Sequence, residues 1–395
     1  MIITSLLDLD LYKLTVGQVI FTYFRDVQAK YLMTVRNGDA ISYWSFVRHD
    51  DYQQQVASLE HLSLTTEEAT YLRSLNLFSE DYIQFLSNRP MSGVRINVEY
   101  QNSKFGYAPV PKVSGQWCRV MLYEIFCLSI GNEMFTEDYC NHHLIDQKSV
   151  LHTAKARLTK KLNTLRGCKQ RINLVEFGTR RRMSKTWQRY MLTRLHDANC
   201  VSGTSNVKLA METGIPVRGT FGHEFVMGLQ GIYPVHNSQK SAFQLWANHW
   251  NGKLAIALDD TLGEAKFLRD FTPDLMKTYD GLRHDSGDPV KWAKSRISMY
   301  EWAGIDTKKK TLFFSDGLTI DKTISLHNEF SDKVQMGFGI GTNLSNDSFT
   351  PVPQVVMKII ECNGQPVAKL SNNPEKASCI NNEYLEYVKY AAANL

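Results

Sequence analysis

The sequence predicts an α/β protein built on a parallel-strand (β/α) barrel, accompanied by a discontinuous α+β domain. Between Ile172 and Thr342, seven short apolar runs end in Gly, Thr, Ser, Asp or His and give way to helical patterns, as parallel strands with crossover helices do. Polar residues at nearly every strand end favour a closed barrel over an open sheet, because a barrel gathers its site from several strand tips. Before Gly115 and after Leu344 the texture changes to paired, alternating strands. The predicted divisions are residues 1–115 for the N-terminal part of the α+β domain, 116–344 for the barrel, and 345–395 for a C-terminal hairpin and helix that complete the α+β domain. A chain of 395 residues, 43% hydrophobic, can bury cores for both.

Taken in order, residues 6–24 read as a helix that turns Leu7, Leu11, Leu14, Phe21 and Phe24 to a core, with Asp8, Asp10, Tyr12 and Lys13 crowded near its start. Ala29 to Val35 is strand-like and stops at the turn pair Asn37-Gly38. Thr65-Thr-Glu-Glu68 is a capping box opening a short helix, and Tyr82 to Leu86 reads as another. Val94 to Tyr100 alternates and pairs with Phe105 to Val110 across Asn102-Ser-Lys. Trp117 to Phe135 is apolar with helical spacing, and an amphipathic helix follows with Leu151, Ala154, Leu158, Leu162 and Leu165 on one face. The strand ends then fall at Phe177-Gly-Thr, Val201-Ser-Gly-Thr, Val217-Arg-Gly-Thr, Ile256-Ala-Leu-Asp-Asp, Leu282-Arg-His-Asp, Phe314-Ser-Asp-Gly and Phe338-Gly-Ile-Gly-Thr. Finally, Val355 to Cys362, Asn363-Gly364 and Gln365 to Ser371 spell a hairpin with a type I′ turn, and Tyr384 to Ala391 is a closing helix.

Composition narrows the function. Lys and Arg exceed Asp and Glu by 45 to 40, a formal charge of +5, and cluster only at Arg180 to Arg182 and Lys308 to Lys310. Such a thin excess suits small anions better than a nucleic-acid tract. The seven cysteines are odd in number and scattered, without a CxxC pair, which points to a reducing compartment and against a zinc site. No signal-peptide pattern or membrane-length apolar run occurs, so a cytoplasmic protein is expected, with neither membrane nor nucleic acid as partner.

The candidate chemistry lies at the strand tips. Between a strand ending at Phe177 and a helix after Ser184, three successive arginines offer donor forks that match phosphate or carboxylate oxygens; a solvated basic turn is the plainer reading. Arg283 and Asp285 stand at another tip, before Pro289 at the first position of a helix. Asp285 and Asp260 can hydrogen-bond a ribose hydroxyl or hold a water of a magnesium shell, or can simply cap helices. Ser315-Asp-Gly317 and the glycine-rich run to Thr342 belong to the last two strands, where such barrels often bind phosphate. His223, flanked by glycine-containing tips, can act as base, metal ligand or nitrogen nucleophile, or be structural, and His284 is equally ambiguous.

Together Phe177-Gly-Thr-Arg-Arg-Arg, Gly203-Thr-Ser-Asn, Gly219-Thr-x-x-His-Glu, Arg283-His-Asp-Ser-Gly-Asp-Pro, Phe314-Ser-Asp and Phe338-Gly-Ile-Gly-Thr closely resemble, in this order, the nicotinate phosphoribosyltransferase family. Leu6-Leu-Asp-x-Asp-x-Tyr-Lys13 and Glu361-Cys-Asn-Gly-x-Pro-Val-Ala-Lys-Leu370 are similar to it too, so the resemblance spans nearly the whole chain. It implies a type II phosphoribosyltransferase barrel that joins nicotinate to 5-phosphoribosyl 1-diphosphate, with Mg²⁺ as cofactor and ATP as co-substrate. It implies that ATP phosphorylates His223, and that the nicotinate ring lies between Phe177 and Tyr12, the latter lent by the second subunit of a homodimer. Arg283 and Thr220 would hold the nicotinate carboxylate and Arg180 the phosphorylated substrate. Asp260 and Asp285 would take the ribose and, through water, Mg²⁺, while Asp316, Gly317, Gly339, Gly341 and Thr342 would bind the 5-phosphate. Ser205 stands where nicotinamide-using relatives have Asp, which favours the acid. The family motif departs at Gly222 and Phe225, where relatives often have Ala and Trp. Competing readings are a nicotinamide phosphoribosyltransferase, a phosphosugar aldolase or isomerase, which would want a strand-end lysine, and an RNA-binding protein using the two basic clusters, which leaves the Gly, Asp and His tips unexplained.

Overall fold

The computed structural model describes residues 1–35, 44–103, 106–347, 352–373 and 376–394. An antiparallel sheet is formed by β1 (Gln28–Val35), β2 (Arg95–Ser103), β3 (Gly106–Gln116), β10 (Val355–Cys362) and β11 (Gln365–Pro366), in the order β11-β10-β1-β3-β2. Strand β10, from near the C-terminus, thus lies beside β1, with Val355 opposite Val35 and Cys362 opposite Ala29. The parallel sheet holds β4 (Leu174–Glu176), β5 (Gly203–Thr204), β6 (Ile256–Leu258), β7 (Gly281–His284), β8 (Thr311–Phe314) and β9 (Gln335–Ile340), in the order β5-β4-β9-β8-β7-β6.

First and last parallel strands are neighbours, as in a barrel, but the ring is incomplete. The predicted strand ending at Val217 is reduced to one parallel bridge with Thr204, and among the described residues no ladder joins it to β6. The chain in that interval instead forms helix His223–Leu229, which packs on β10 and on helix Val235–Trp250, so the two sheets meet there. Phe225 contributes to this joint: its ring lies against Phe221 and Trp246, at centroid separations of 6.1 and 5.8 Å.

Several elements match the sequence reading closely. Thr65 and Glu68 form the reciprocal capping box of helix Thr66–Ser74. Asn363 and Gly364 have φ of 53° and 75°, the left-handed pair a type I′ turn requires. The turn pair Asn37-Gly38 falls outside the described residues.

Three departures have physical causes. The first helix runs Leu11–Tyr23 rather than from residue 6, because the Leu7 and Leu9 carbonyls accept from Lys208 and Val207 N–H groups and hold the opening residues beside β5's exit. The apolar stretch from Trp117 breaks into helices Trp117–Val120 and Tyr123–His142. The hairpin's second arm pairs only over Gln365–Pro366, since Gln230 captures both backbone groups of Ala368, at 2.7 and 3.0 Å, and turns the chain toward the barrel. That diversion brings Lys369 to the strand tips.

Candidate active site

The site is built on the C-terminal tips of the parallel strands, on a cavity of about 1090 Å³ that also extends to Asn173, Asp280 and Gln335 at the strands' other ends. Glycines shape its aromatic wall. A Cβ on Gly337 would stand 2.5 Å from the Phe313 ring, and one on Gly339 2.5 Å from the Phe177 ring, so both rings lie flat against β9 only because these positions are bare. Phe177 and Phe313 stack at 5.5 Å, and the Arg283 guanidinium sits 5.6 Å from the Phe177 ring centre. Gly339 therefore makes room for an aromatic slot, and its place inside β9 differs from that of an open phosphate loop.

The three arginines part company. Arg180 faces the cavity, half-exposed, 3.9 Å from Glu124. Arg181 reaches Gln354 and the Val355 carbonyl of β10 at 3.3 and 3.2 Å. Arg182 is fully buried between Asp8 and Glu133. Lys310, in the second basic cluster, is buried against the Lys277 and Tyr279 carbonyls. Neither cluster is the continuous basic face that RNA binding needs.

At the β6 tip, two adjacent aspartates have opposite fates. Asp259 points away, to Arg296 at 2.7 Å and the Trp292 indole at 2.5 Å, and burial pushes its carboxyl up to about 6. Asp260 accepts from His223 Nε2 at 2.6 Å and Ser286 Oγ at 2.6 Å, and pairs with Lys369 Nζ at 3.0 Å. It is wholly buried behind His223 and is not among the residues lining the cavity, a placement that does not fit the direct contact with ribose or magnesium expected of it. Burial opposes its charge, but His223 and Lys369 hold its carboxyl well below the usual range.

Lys369 Nζ is also 2.9 Å from His223 Nε2, and one nitrogen cannot donate to Asp260 while accepting from a lysine. The ionised Asp260 is the stronger acceptor and the closer one, which assigns the proton to Nε2 and leaves the Nδ1 lone pair free. Burial and the Lys369 charge push the imidazole below its ordinary value, against the pull of Asp260, which favours the neutral ring. Lys369→Met should relieve part of that push and move the acid limb of any His223-dependent rate to higher pH; an unmoved limb would show that Lys369 does not set it. His284 is no rival: it is buried against Trp292 and Phe314 and does not line this cavity.

At the β7 tip, Asp288 caps the helix after it, accepting from Val290 and Lys291 N–H groups, which frees Asp285 for the cavity. Asp285 Oδ1 holds Arg283 at 3.2 Å and Ser315 Oγ at 2.8 Å, while Oδ2 faces His223 at 3.7 Å. Arg283, with His223 and Lys369, more than offsets burial and keeps this carboxyl far below the ordinary range. The glycine tips are joined by Asn343, whose amide donates to the Leu318 carbonyl at 2.7 Å. Gly317 has a φ of 56°, open to residues without a side chain. Asp316, expected at a phosphate, is paired with Lys376 at 2.6 Å, so the cation at that tip is a lysine the sequence reading did not name.

Tyr12 of the same chain also lines the cavity, beside Gly222, and donates to Glu124 at 3.2 Å. Ser205 Oγ donates to Asp10 at 2.7 Å, and burial pushes the Asp10 carboxyl up toward its neutral form. Thr220 lines the cavity too, its carbonyl accepting from Thr15 at 2.5 Å. Lys369, Lys376, Glu124 and Asp10 were thus missed as site residues. For Glu124 a signal existed, a carboxylate inside an otherwise apolar helical run.

A parallel-strand barrel whose mouth collects a histidine–aspartate pair, several cations and an aromatic slot defines an enzyme of the α/β class suited to anionic substrates. Residues 172–393 match the Nicotinate phosphoribosyltransferase (NAPRTase) family, and residues 7–132 match the NAPRTase N-terminal domain. The chain is 38% identical over 396 residues to a nicotinate phosphoribosyltransferase of Ralstonia nicotianae, covering 98% of each. It is 37% identical to that of Neisseria meningitidis serogroup A, covering 98% of this chain and 96% of the relative. Among solved structures, the nicotinate phosphoribosyltransferase of Vibrio cholerae superposes with a TM-score of 0.88 at 33% identity, covering 99% of this chain and 93% of that one. That of Porphyromonas gingivalis gives 0.86 at 27% identity, covering 99% and 100%. The chain belongs to the nicotinate phosphoribosyltransferase family.

Proposed function

We propose that this protein joins nicotinate to 5-phosphoribosyl 1-diphosphate, giving nicotinate mononucleotide and diphosphate, in NAD biosynthesis and salvage. ATP is hydrolysed alongside through a phosphate carried on His223. The observation that carries this reading is His223, held by Asp260 and Lys369 at a cavity that also presents Arg283 over the Phe177 ring.

Phosphorylation begins with the Nδ1 lone pair attacking the γ-phosphorus of ATP; an N–P bond forms, the P–O bond to ADP breaks, and ADP leaves with that electron pair. Asp260, hydrogen-bonded to Nε2–H, stabilises the positive charge the ring gains. In the transfer step the pyridine nitrogen attacks the anomeric carbon and the bond to diphosphate breaks. The developing sugar cation is stabilised by the Asp285 carboxylate, and the negative leaving group by Arg180, Lys369 and Lys376. Arg283 offers its fork to the nicotinate carboxylate, with Thr220 and Ser205 beside it. Gly317, Gly341 and Thr342 supply N–H groups for the 5-phosphate. Water then hydrolyses the phosphohistidine and restores the enzyme.

Mg²⁺ fits here as a companion of the substrate phosphates. Among the described residues no cluster of three or more His, Cys, Asp or Glu is arranged to hold a metal, and Asp285, which lines the cavity, would hold one through water. Held there through water by Asp285, a magnesium ion would supply charge neutralisation for the leaving diphosphate. A homodimer and a cytoplasmic setting complete the reading; among the described residues no helix is long and apolar enough to cross a membrane.

The test is product formation from 5-phosphoribosyl 1-diphosphate and Mg²⁺ with nicotinate or nicotinamide, each with and without ATP. Nicotinate turnover stimulated by ATP is expected. Nicotinate turnover indifferent to ATP would keep the transferase and remove the phosphohistidine, and a preference for nicotinamide would overturn the role given to Ser205.

A further inference from the structure

We propose that Lys13 is a positioning residue that ties the helix bearing His223 to the carboxylate that holds Tyr12 and Arg180, and so passes the phosphorylation state of His223 to the groups that hold substrate. This rests on the phosphohistidine reading. Lys13 lies in the first helix with its side chain wholly buried. Its ammonium is 2.6 and 2.7 Å from the two carboxylate oxygens of Glu224, and 2.6 Å from Glu124 Oε2.

Each carboxylate leads to a different part of the site. Glu224 follows His223 directly, in the first turn of helix His223–Leu229, and takes a second hydrogen bond of 2.5 Å from the Tyr31 hydroxyl of β1. Glu124, from helix Tyr123–His142, accepts from the Tyr12 hydroxyl at 3.2 Å and faces Arg180 at 3.9 Å, and both of these line the cavity. The two carboxylates meet through one cation. Without it, two buried negative charges would face each other across a space sized for an ammonium, and one would take up a proton or the helices would separate.

This arrangement makes the position of His223 depend on that of Tyr12 and Arg180. A phosphate on His223 adds up to two negative charges beside Asp260 and Asp285. Any movement of the histidine turn pulls on Glu224, and the Glu224–Lys13–Glu124 chain carries the pull to Tyr12 and Arg180. Coupling between sites travels along connected networks of this kind, here built from ion pairs and hydrogen bonds.

Separating this role from plain structural support takes a charge-balanced variant. Lys13→Met alone leaves two uncompensated carboxylates and should lower Tm. Lys13→Met combined with Glu224→Gln removes the cation and one anion together, leaves Glu124 facing Arg180, and should recover most of the lost Tm. Nicotinate turnover with and without ATP, and ATP hydrolysed per mononucleotide formed, are then measured for the wild type, the double variant and Glu124→Gln, which cuts the other half of the tie. In both variants ATP stimulation should fall on the order of tenfold, with more than one ATP hydrolysed per product. Wild-type stimulation and stoichiometry in both variants would overturn the tie and leave Lys13 as charge balance only. A wild type that turns over nicotinate indifferently to ATP would overturn the phosphohistidine, and the tie with it, before any variant is compared.

Discussion

His223→Ala should abolish ATP stimulation and the acid-labile phosphate label from γ-labelled ATP, while a slow ATP-independent synthesis of nicotinate mononucleotide remains. With ATP present, kcat/KM should fall on the order of 10²-fold, the usual scale for losing one group that acts in the activated state. Packing is not the cause, since the imidazole lies at the cavity wall and its removal leaves Asp260 with Lys369, Ser286 and Ser371. Asp260→Asn is the informative companion. It keeps the shape but removes the charge that fixes the Nε2 proton, so phosphorylation should fall steeply even though the nucleophile is present. Complete loss of synthesis in His223→Ala, with Tm unchanged, would instead place His223 in the transfer step itself.

Much of this site was legible because a strand tip is a local signal: an apolar run that stops at a small or charged residue. That signal placed Phe177, His223, Arg283, Asp285, Gly317 and Thr342 on one cavity. It could not separate Asp259 from Asp260, because which of two neighbours turns inward depends on Arg296 and Trp292, remote in sequence. It could not say which of three arginines faces the cavity, since that is set by where Asp8, Glu133 and β10 lie. The same limit hid Lys369, which reads as an arm of a hairpin until Gln230 is seen to draw the chain away. Local pattern also overstated regularity, predicting a strand at Val217 that keeps one bridge, and a helix from residue 6 whose first turn is spent on backbone contacts with Val207 and Lys208.

The largest stability effect should come from Arg182→Met. The guanidinium is fully buried, with Asp8 at 2.7 and 3.0 Å, Glu133 at 2.6 Å and Gln188 at 3.3 Å. Asp8 in turn holds Asn206 at 2.9 Å, and Lys185 at 3.4 Å, so this pair fastens the N-terminal segment to the turn after β4 and to β5's exit. Burial alone would raise the Asp8 carboxyl; Arg182, with Lys185 and Asn206, more than reverses this and lowers it to about 2. Removing one partner of such a pair costs about 3–5 kcal/mol, because the other charge stays buried without it. The sign of the pH dependence follows. A carboxyl lowered from its ordinary value of 3.8 to about 2 contributes stability that is fully present above about pH 4 and is lost as the pH falls toward 2. That contribution depends on Arg182, so the wild-type advantage over Arg182→Met in denaturant midpoint should be full at pH 7 and shrink in acid. A difference that stays constant from pH 7 to pH 3 would mean that Arg182 stabilises through its packing and not through Asp8. The site would register the same loss, because the turn that Arg182 anchors is the one that aims Phe177 and Arg180 into the cavity.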